Sequence, residues 1–222
     1  MKTKQNYPTF IFDLDGVITK TEAYHFQAWK QTASLFDYEL THENNEQLKG
    51  VSRVDSLKKI LEWSDSEIST EMFERLLKEK NDRYLKALTE LSEKDIIEGV
   101  YEFILDARNH QHTIALYSSS KNAEFILSKL KIIDLFDVRV DGNDVTQSKP
   151  HPEGFEIAAK LANSPPSKCV VFEDSVNGVI AAKAAKMDCI AIPSAQDFQD
   201  KRYAIADRVF QSLTEFLAFE SK

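Results

Sequence analysis

From residue 100 onward the sequence alternates short runs of branched and aromatic residues with stretches of helical periodicity. The apolar runs cover residues 113–117, 138–140, 169–172, 189–192 and 208–210; the helical stretches cover 100–109, 123–130, 155–161 and 179–186. Strands buried on both faces read as near-continuous apolar runs, and helices between them supply the crossovers of parallel pairing. The pattern predicts an α/β fold with a doubly wound parallel sheet. An earlier run, Thr9-Phe10-Ile11-Phe12, belongs to the same sheet, yet about a hundred residues separate it from the next strand. A crossover needs only about a dozen. Residues 22–36, 53–63 and 70–91 of that gap are helical by pattern, with Met72, Phe73, Leu76, Leu77, Tyr84, Leu85 and Leu88 near i, i+3/i+4 spacing, and none of the gap reads as a strand. The expectation is a discontinuous core domain, residues 1–17 and 96–222, with a small all-helical domain, 18–95, inserted after the first strand.

With 222 residues, 42% of them hydrophobic, the chain can bury a sizeable core. Its net charge of −8 and the lack of any run of five basic residues argue against long-range attraction to nucleic acid or an anionic membrane. An anionic substrate would need local cations. The N-terminal MKTKQNYPTF lacks the apolar stretch of a secretory signal, and no segment approaches the ~20 apolar residues of a membrane span, so a cytoplasmic location is expected. Cys169 and Cys189 lie in strand-like segments without CxxC spacing and are expected to be buried thiols.

Ligands of open α/β sheets bind outside the carboxyl ends of the strands. Asp13 and Asp15 end the first strand, and side chains two apart point the same way while the chain stays extended. Two neighbouring carboxylates repel unless a proton or a cation separates them, and a hard, oxygen-seeking ion such as Mg²⁺ fits that position. The second strand runs into Ser118-Ser119-Ser120-Lys121-Asn122, hydroxyls and backbone N–H groups with a lysine attached. Lys149 follows Ser148 and precedes Pro150, and the strand at 169–172 ends in Glu173-Asp174. Taken singly, each element also reads as a turn, a helix cap or a solvated charge. Together, acid, hydroxyl, lysine and acid at four successive positions are what holds a phosphate between a metal and a cation.

The set DLDG (13–16), SSSKN (118–122), Lys149-Pro150 and FEDS (172–175) resembles the four motifs of the haloacid dehalogenase (HAD) superfamily and covers essentially the whole chain. The resemblance implies a Rossmann-like core, with Asp13 as a nucleophile that forms an aspartyl phosphate and Asp15 as general acid/base. It implies Mg²⁺ held by the Asp13 carboxylate, the Asp15 backbone carbonyl and Asp174, with Glu173 in support, and a phosphoryl group bound by Ser118 and Lys149.

Within the insert, VITKTEAYHFQAWK (17–30), NEQLKGVSRVDSLKKIL (45–61) and the EKND of residues 79–82 resemble the β-phosphoglucomutase family with its helical cap. That likeness implies that Arg53 grips the phosphate not being transferred, assisted by Ser119, Ser120, Lys121 and Asn122, and that Thr21, His25 and Lys80 couple cap closure to Asp15 and to the sugar. Thr21, His25 and Trp29 follow i, i+4, i+8 and share one helix face, whereas Trp29 and Trp63 are assigned to packing. Lys20, Tyr117, Ser119 and His151 depart from the mutase pattern, and FEDSVNGVIAAKAAKM (172–187) is more similar to hexose-phosphate phosphatases of the 2-deoxyglucose-6-phosphatase kind. The expected activity is a Mg²⁺-dependent mutase reaction on a phosphorylated sugar. A sugar-phosphate phosphatase is the alternative, and a non-catalytic sugar-phosphate-binding protein the third reading. A monomer acting without nucleic acid or membrane partners is expected.

Overall fold

Six apolar runs pair into one fully parallel sheet in a computed structural model that describes residues 7–220. The N-terminal MKTKQN, part of the expected non-secretory start, lies outside the described residues. The strands are β1 (Thr9–Phe12), β2 (Thr113–Tyr117), β3 (Val138–Val140), β4 (Cys169–Glu173), β5 (Asp188–Ala191) and β6 (Arg208–Val209), in spatial order β3-β2-β1-β4-β5-β6. β5 begins one residue before its apolar run: Asp188 pairs with Val170, and its carboxylate accepts a hydrogen bond from Tyr7 at 2.6 Å, so a charged residue is tolerated in the ladder.

Between β1 and residue 92 the chain forms α1 (Glu22–Ala33), α2 (His42–Glu46), α3 (Arg53–Trp63) and α4 (Thr70–Ala87), and no strand among the described residues. These helices bury their own small core around Trp29, Leu40, Leu57, Ile60 and Leu76. Ala28, Tyr84 and Leu88 instead join the main core beside Val17 and Ile18, which seats the insert on the sheet. The two segments leading into and out of it run side by side: the Ile97 N–H donates to the Ile18 carbonyl at 2.8 Å, and the Thr19 hydroxyl to the Asp95 carbonyl at 2.9 Å.

The remaining helices cover both faces of the sheet. α5 (Val100–Asn109), α6 (Ala123–Lys129) and α9 (Leu213–Glu220) pack over Phe10, Phe12, Leu116 and Phe172. On the opposite face α7 (Glu153–Leu161) and α8 (Val176–Ala184) pack over Ile11, Ala115, Tyr117 and Val171. Residues alternate between the faces along each strand, as the pleat requires. Cys169 and Cys189 are buried free thiols. No helix of the described residues is long and apolar enough to cross a membrane.

β1 lies between β2 and β4, the point where the strand order reverses, and Phe12 is level with Leu116 and Phe172. Side chains immediately beyond these ends converge on one crevice. Below it, the Tyr117 ring meets Phe155 edge-on at 4.9 Å and lies against Gly154, where a Cβ would overlap the ring. Gly154→Ala should therefore destabilise the fold by about 1–3 kcal/mol. Urea denaturation checks this, and adding Tyr117→Ala should give a total loss smaller than the sum of the two single losses.

Candidate active site

On the core side Lys149, 1% exposed, donates to both Asp13 Oδ1 and Glu173 Oε1. Its ammonium also faces the Tyr117 ring at 4.8 Å and the Phe155 ring at 5.2 Å. The second Glu173 oxygen accepts from the Ser175 N–H and hydroxyl, each at 3.0 Å, and Ser175 in turn caps α8 by accepting from the Gly178 N–H. A side chain at Gly178 would overlap the Glu173 carboxylate, so the helix can start here only with glycine in its first turn. Asp174 follows, buried, its carbonyl fixed by the Tyr203 hydroxyl at 2.5 Å.

Carboxylate oxygens of Asp13, Glu173 and Asp174 all lie within 4.8 Å of one another. Burial pushes the carboxyls of Asp13 and Asp174 well above the usual range; Lys149 opposes this at Asp13 and Lys49 at Asp174, while neighbouring acids add to it. Burial alone would lower the Lys149 pKa, but Asp13 and Glu173 hold it well above the ordinary lysine value. Gly16 has φ +85°, and a Cβ there would run into the Asp174 carboxylate, so the approach to this cluster is kept clear. A compact set of buried oxygen donors with excess negative charge suits a hard divalent cation.

Asp15 sits in different surroundings. β1 ends at Phe12, and the chain turns at Gly16, so the two aspartates do not share partners as an extended strand would make them. Asp15 Oδ1 accepts from the Thr21 hydroxyl and, at 3.3 Å, from the Tyr84 hydroxyl, with His25 Nε2 3.6 Å away. All three groups belong to the insert side. Lys80 completes this cluster: its ammonium lies 2.7 Å from His25 Nδ1 and over the rings of Trp29 at 4.6 Å and Tyr84 at 5.0 Å. Burial, with Arg53 nearby, pushes Lys80 down to about 7, and burial with Lys80 and Arg53 drives His25 well below its ordinary value. Burial raises the Asp15 pKa despite the opposing effects of Thr21, Lys80 and Tyr84.

Between the two clusters lies a cleft of about 690 Å³, within the range of small-molecule sites. Asp13, Asp15, His25, Arg53, Lys80 and Asp174 line it, as do Ser118, Ser119, Ser120 and Lys121. Ser118 accepts from the Ser120 N–H at 3.1 Å, and the Ser119 hydroxyl donates to the Gly50 carbonyl at 2.6 Å. Asn122 is used differently: its amide donates to Asn81 Oδ1 of α4 at 2.9 Å, tying the serine loop to the insert. Trp29, assigned to packing, is buried and also lines the cleft. Lys49 and Tyr84 were not singled out by sequence reasoning. Tyr84 follows the apolar stripe of α4 and reads as core, whereas Lys49 stands in a motif whose arginine draws the attention.

Residues 10–192 match the family described as haloacid dehalogenase-like hydrolase. The chain belongs to that family. It is 38% identical over 188 residues to the β-phosphoglucomutase of Bacillus subtilis, covering 84% of this chain and 83% of that one. It is 33% identical over 183 residues to a phosphorylated carbohydrates phosphatase of Thermotoga maritima, covering 81% and 82%. The crystal structure of a β-phosphoglucomutase from Clostridium difficile superposes with a TM-score of 0.87 at 34% identity over 96% of both chains. The chain is thus a haloacid dehalogenase-like enzyme, an isomerase or a hydrolase. Enzymes of this family generally use a divalent metal.

Two outcomes follow from the geometry. Gly16→Ala should weaken divalent-cation binding at least about tenfold, read with Mn²⁺ by electron paramagnetic resonance, because it places a methyl group against Asp174. Lys80, protonated in the unfolded chain up to an ordinary value of about 10.4, loses its proton in the fold near pH 7. The unfolded state binds the extra proton across that window, so stability relative to Lys80→Met should rise with pH from about 7 to 10, by up to about 1.4 kcal/mol per unit. Denaturation curves of the two proteins that stay parallel over this range would contradict it.

Proposed function

We propose that this enzyme is a β-phosphoglucomutase that converts β-glucose 1-phosphate to glucose 6-phosphate through the 1,6-bisphosphate, with residues 18–95 as a cap over a core of 1–17 and 96–222. The observation that carries the reading is the division of labour between the two aspartates. Asp13 faces Lys149 and the acidic cluster, and Asp15 is held by Thr21 and Tyr84 from the insert. The acid/base is therefore in place only when the insert is closed over the site. Arg53, carried on the insert at the start of α3, supports a substrate with a second anionic end. The extent of the likeness to the Bacillus enzyme adds to this.

In the first half-reaction the sugar 6-hydroxyl attacks the phosphorus of phospho-Asp13. A new O–P bond forms as the bond to the Asp13 oxygen breaks, and the hydroxyl proton passes to Asp15. The bisphosphate then turns over in the cleft. Asp13 attacks the phosphorus at C1, the bond from that phosphorus to the C1 oxygen breaks, and Asp15 returns its proton to that oxygen. The raised Asp15 pKa suits a group that carries a proton, while Lys149 and Ser118 hold the transferring phosphoryl oxygens. Asp13, Asp174 and the Asp15 carbonyl, supported by Glu173, would hold Mg²⁺, which when bound favours ionised Asp13 and offsets phosphoryl charge. Ser119, Ser120 and Lys121 would complete the grip on the distal phosphate, with Asn122 behind them tied to Asn81, and His25 and Lys80 would respond to the sugar.

Hydrolysis of a sugar phosphate is the second reading, favoured by the Thermotoga phosphatase relative. The two differ only in whether a sugar hydroxyl or water discharges Asp13. A Mg²⁺-dependent assay on β-glucose 1-phosphate, primed with the 1,6-bisphosphate and following glucose 6-phosphate and free phosphate together, decides between them. Glucose 6-phosphate in large excess is expected; phosphate release without isomerisation overturns the mutase reading. Asp13→Asn should lower turnover by at least about 10⁴-fold in either case.

A further inference from the structure

Asp197 lies outside the four motifs, on the loop that follows β5. The loop is folded back on itself there: the Ser194 hydroxyl donates to Asp197 Oδ2 at 2.5 Å, and the Asp200 N–H to the Asp197 carbonyl at 2.8 Å. Its carboxylate meets two side chains of the insert, one of them a lysine ammonium. His42 Nε2, at the start of α2, is 3.2 Å from Oδ1, and Lys49 Nζ is 3.5 Å from Oδ2. Lys49 is itself nearly buried, 2.7 Å from Glu46 Oε1 and 3.9 Å from Asp174 Oδ2, and it lines the cleft. The backbone of the same segment rests on the core through the Asn177 amide, 2.8 Å from the Lys49 carbonyl.

We propose that Asp197 is a positioning residue for phosphoryl transfer, the core-side anchor that holds segment 42–50 of the insert down and fixes the Lys49 ammonium at the edge of the cleft. Three carboxylates, Glu46 from the insert and Asp174 and Asp197 from the core, pull on Lys49 from opposite sides of the domain boundary. Opening the cap therefore separates Lys49 from Asp197 and leaves a nearly buried cation with less compensation. Such pairs are short-ranged and desolvated, so they favour one closed arrangement over a range of partly open ones. The apparent affinity for substrate then scales with the closed fraction. This inference rests on the reading of 18–95 as a moving cap, and it applies whether the phosphoryl group goes to a sugar or to water.

The test is a double-mutant cycle on steady-state turnover of β-glucose 1-phosphate, with glucose 6-phosphate and free phosphate both followed. Asp197→Asn keeps the side-chain shape and removes the charge; it should raise KM about tenfold and change kcat by less than about threefold. In a Lys49→Ala background the same change should add less than about twofold to KM. His42→Ala, at a half-exposed position whose loss cannot collapse the fold, should raise KM in the same direction and to a smaller extent. An unchanged KM in Asp197→Asn, or equal KM effects of Asp197→Asn with and without Lys49, overturns the proposal. Those outcomes leave the mutase reading standing. Release of phosphate alone overturns the mutase reading, and the KM cycle for that hydrolysis still decides the anchor.

Discussion

One buried ammonium between two buried carboxylates organises the catalytic end of this molecule. Lys149, Asp13 and Glu173 are all withdrawn from water, and removing one partner from such a set costs about 3–5 kcal/mol because a charge is left uncompensated. Each neighbour is shaped around that requirement. Ser175 supplies two donors to Glu173 and caps α8 with the same hydroxyl, and Gly178 gives the carboxylate room. Tyr117 and Phe155 wall the lysine with ring faces, and Gly154 makes space for Tyr117. Even so, the acids of the cluster outnumber the lysine, and among the described residues Asp174 pairs only with Lys49, an excess of negative charge that suits a divalent cation.

The second electrostatic centre has the opposite sign. Lys80 and Arg53 lie near His25 on the insert, with Asp15 facing Lys80 and His25, and Asp82 acting on Arg53. Burial, reinforced by repulsion from neighbouring cations, lowers the His25 pKa and weakens the hold of Lys80 on its proton, so this side favours an anion. Under the proposed function, the anionic groups of a phosphorylated sugar would offset the insert, whose Thr21 and Tyr84 hydroxyls donate to Asp15.

The central strands were legible because β1, β2 and β4 are apolar runs buried on both faces; β1, β2 and β3 have the bounds their apolar runs predict. Helix ends were less so. The periodicity of 70–91 continues past Ala87, where α4 stops, since Leu88 and Leu91 still bury themselves from the turns that follow. α2, His-Glu-Asn-Asn-Glu, has no apolar stripe at all and is held by a capping box between Thr41 and Asn44, and α9 is only eight residues long. Of the site, the residues at strand ends could be read directly, because a polar residue ending a buried strand has a known place in a parallel sheet. Lys49, Tyr84 and Asp197 could not. Each becomes meaningful through a partner distant in sequence: Tyr84 is 69 residues from Asp15, and Lys49 reaches across to Asp174 and Asp197.

The spacing of Asp13 and Asp15 shows how a local rule is overridden with a functional result. Alternation along a strand would aim both carboxylates at one ion, and a proton carrier tied to that ion would be a poor acid. The chain leaves the extended form after Asp13, turns at Gly16, and returns so that Thr19 bridges to Asp15 and Ile96 beside the linkers of the insert. That turn serves three ends together. It clears the space before Asp174, it starts the insert, and it rotates Asp15 toward Thr21 and Tyr84. In the proposed reaction, coupling between closure and proton transfer would need no long-range pathway, because Asp15 sits at the root of the insert whose hydroxyls hold it.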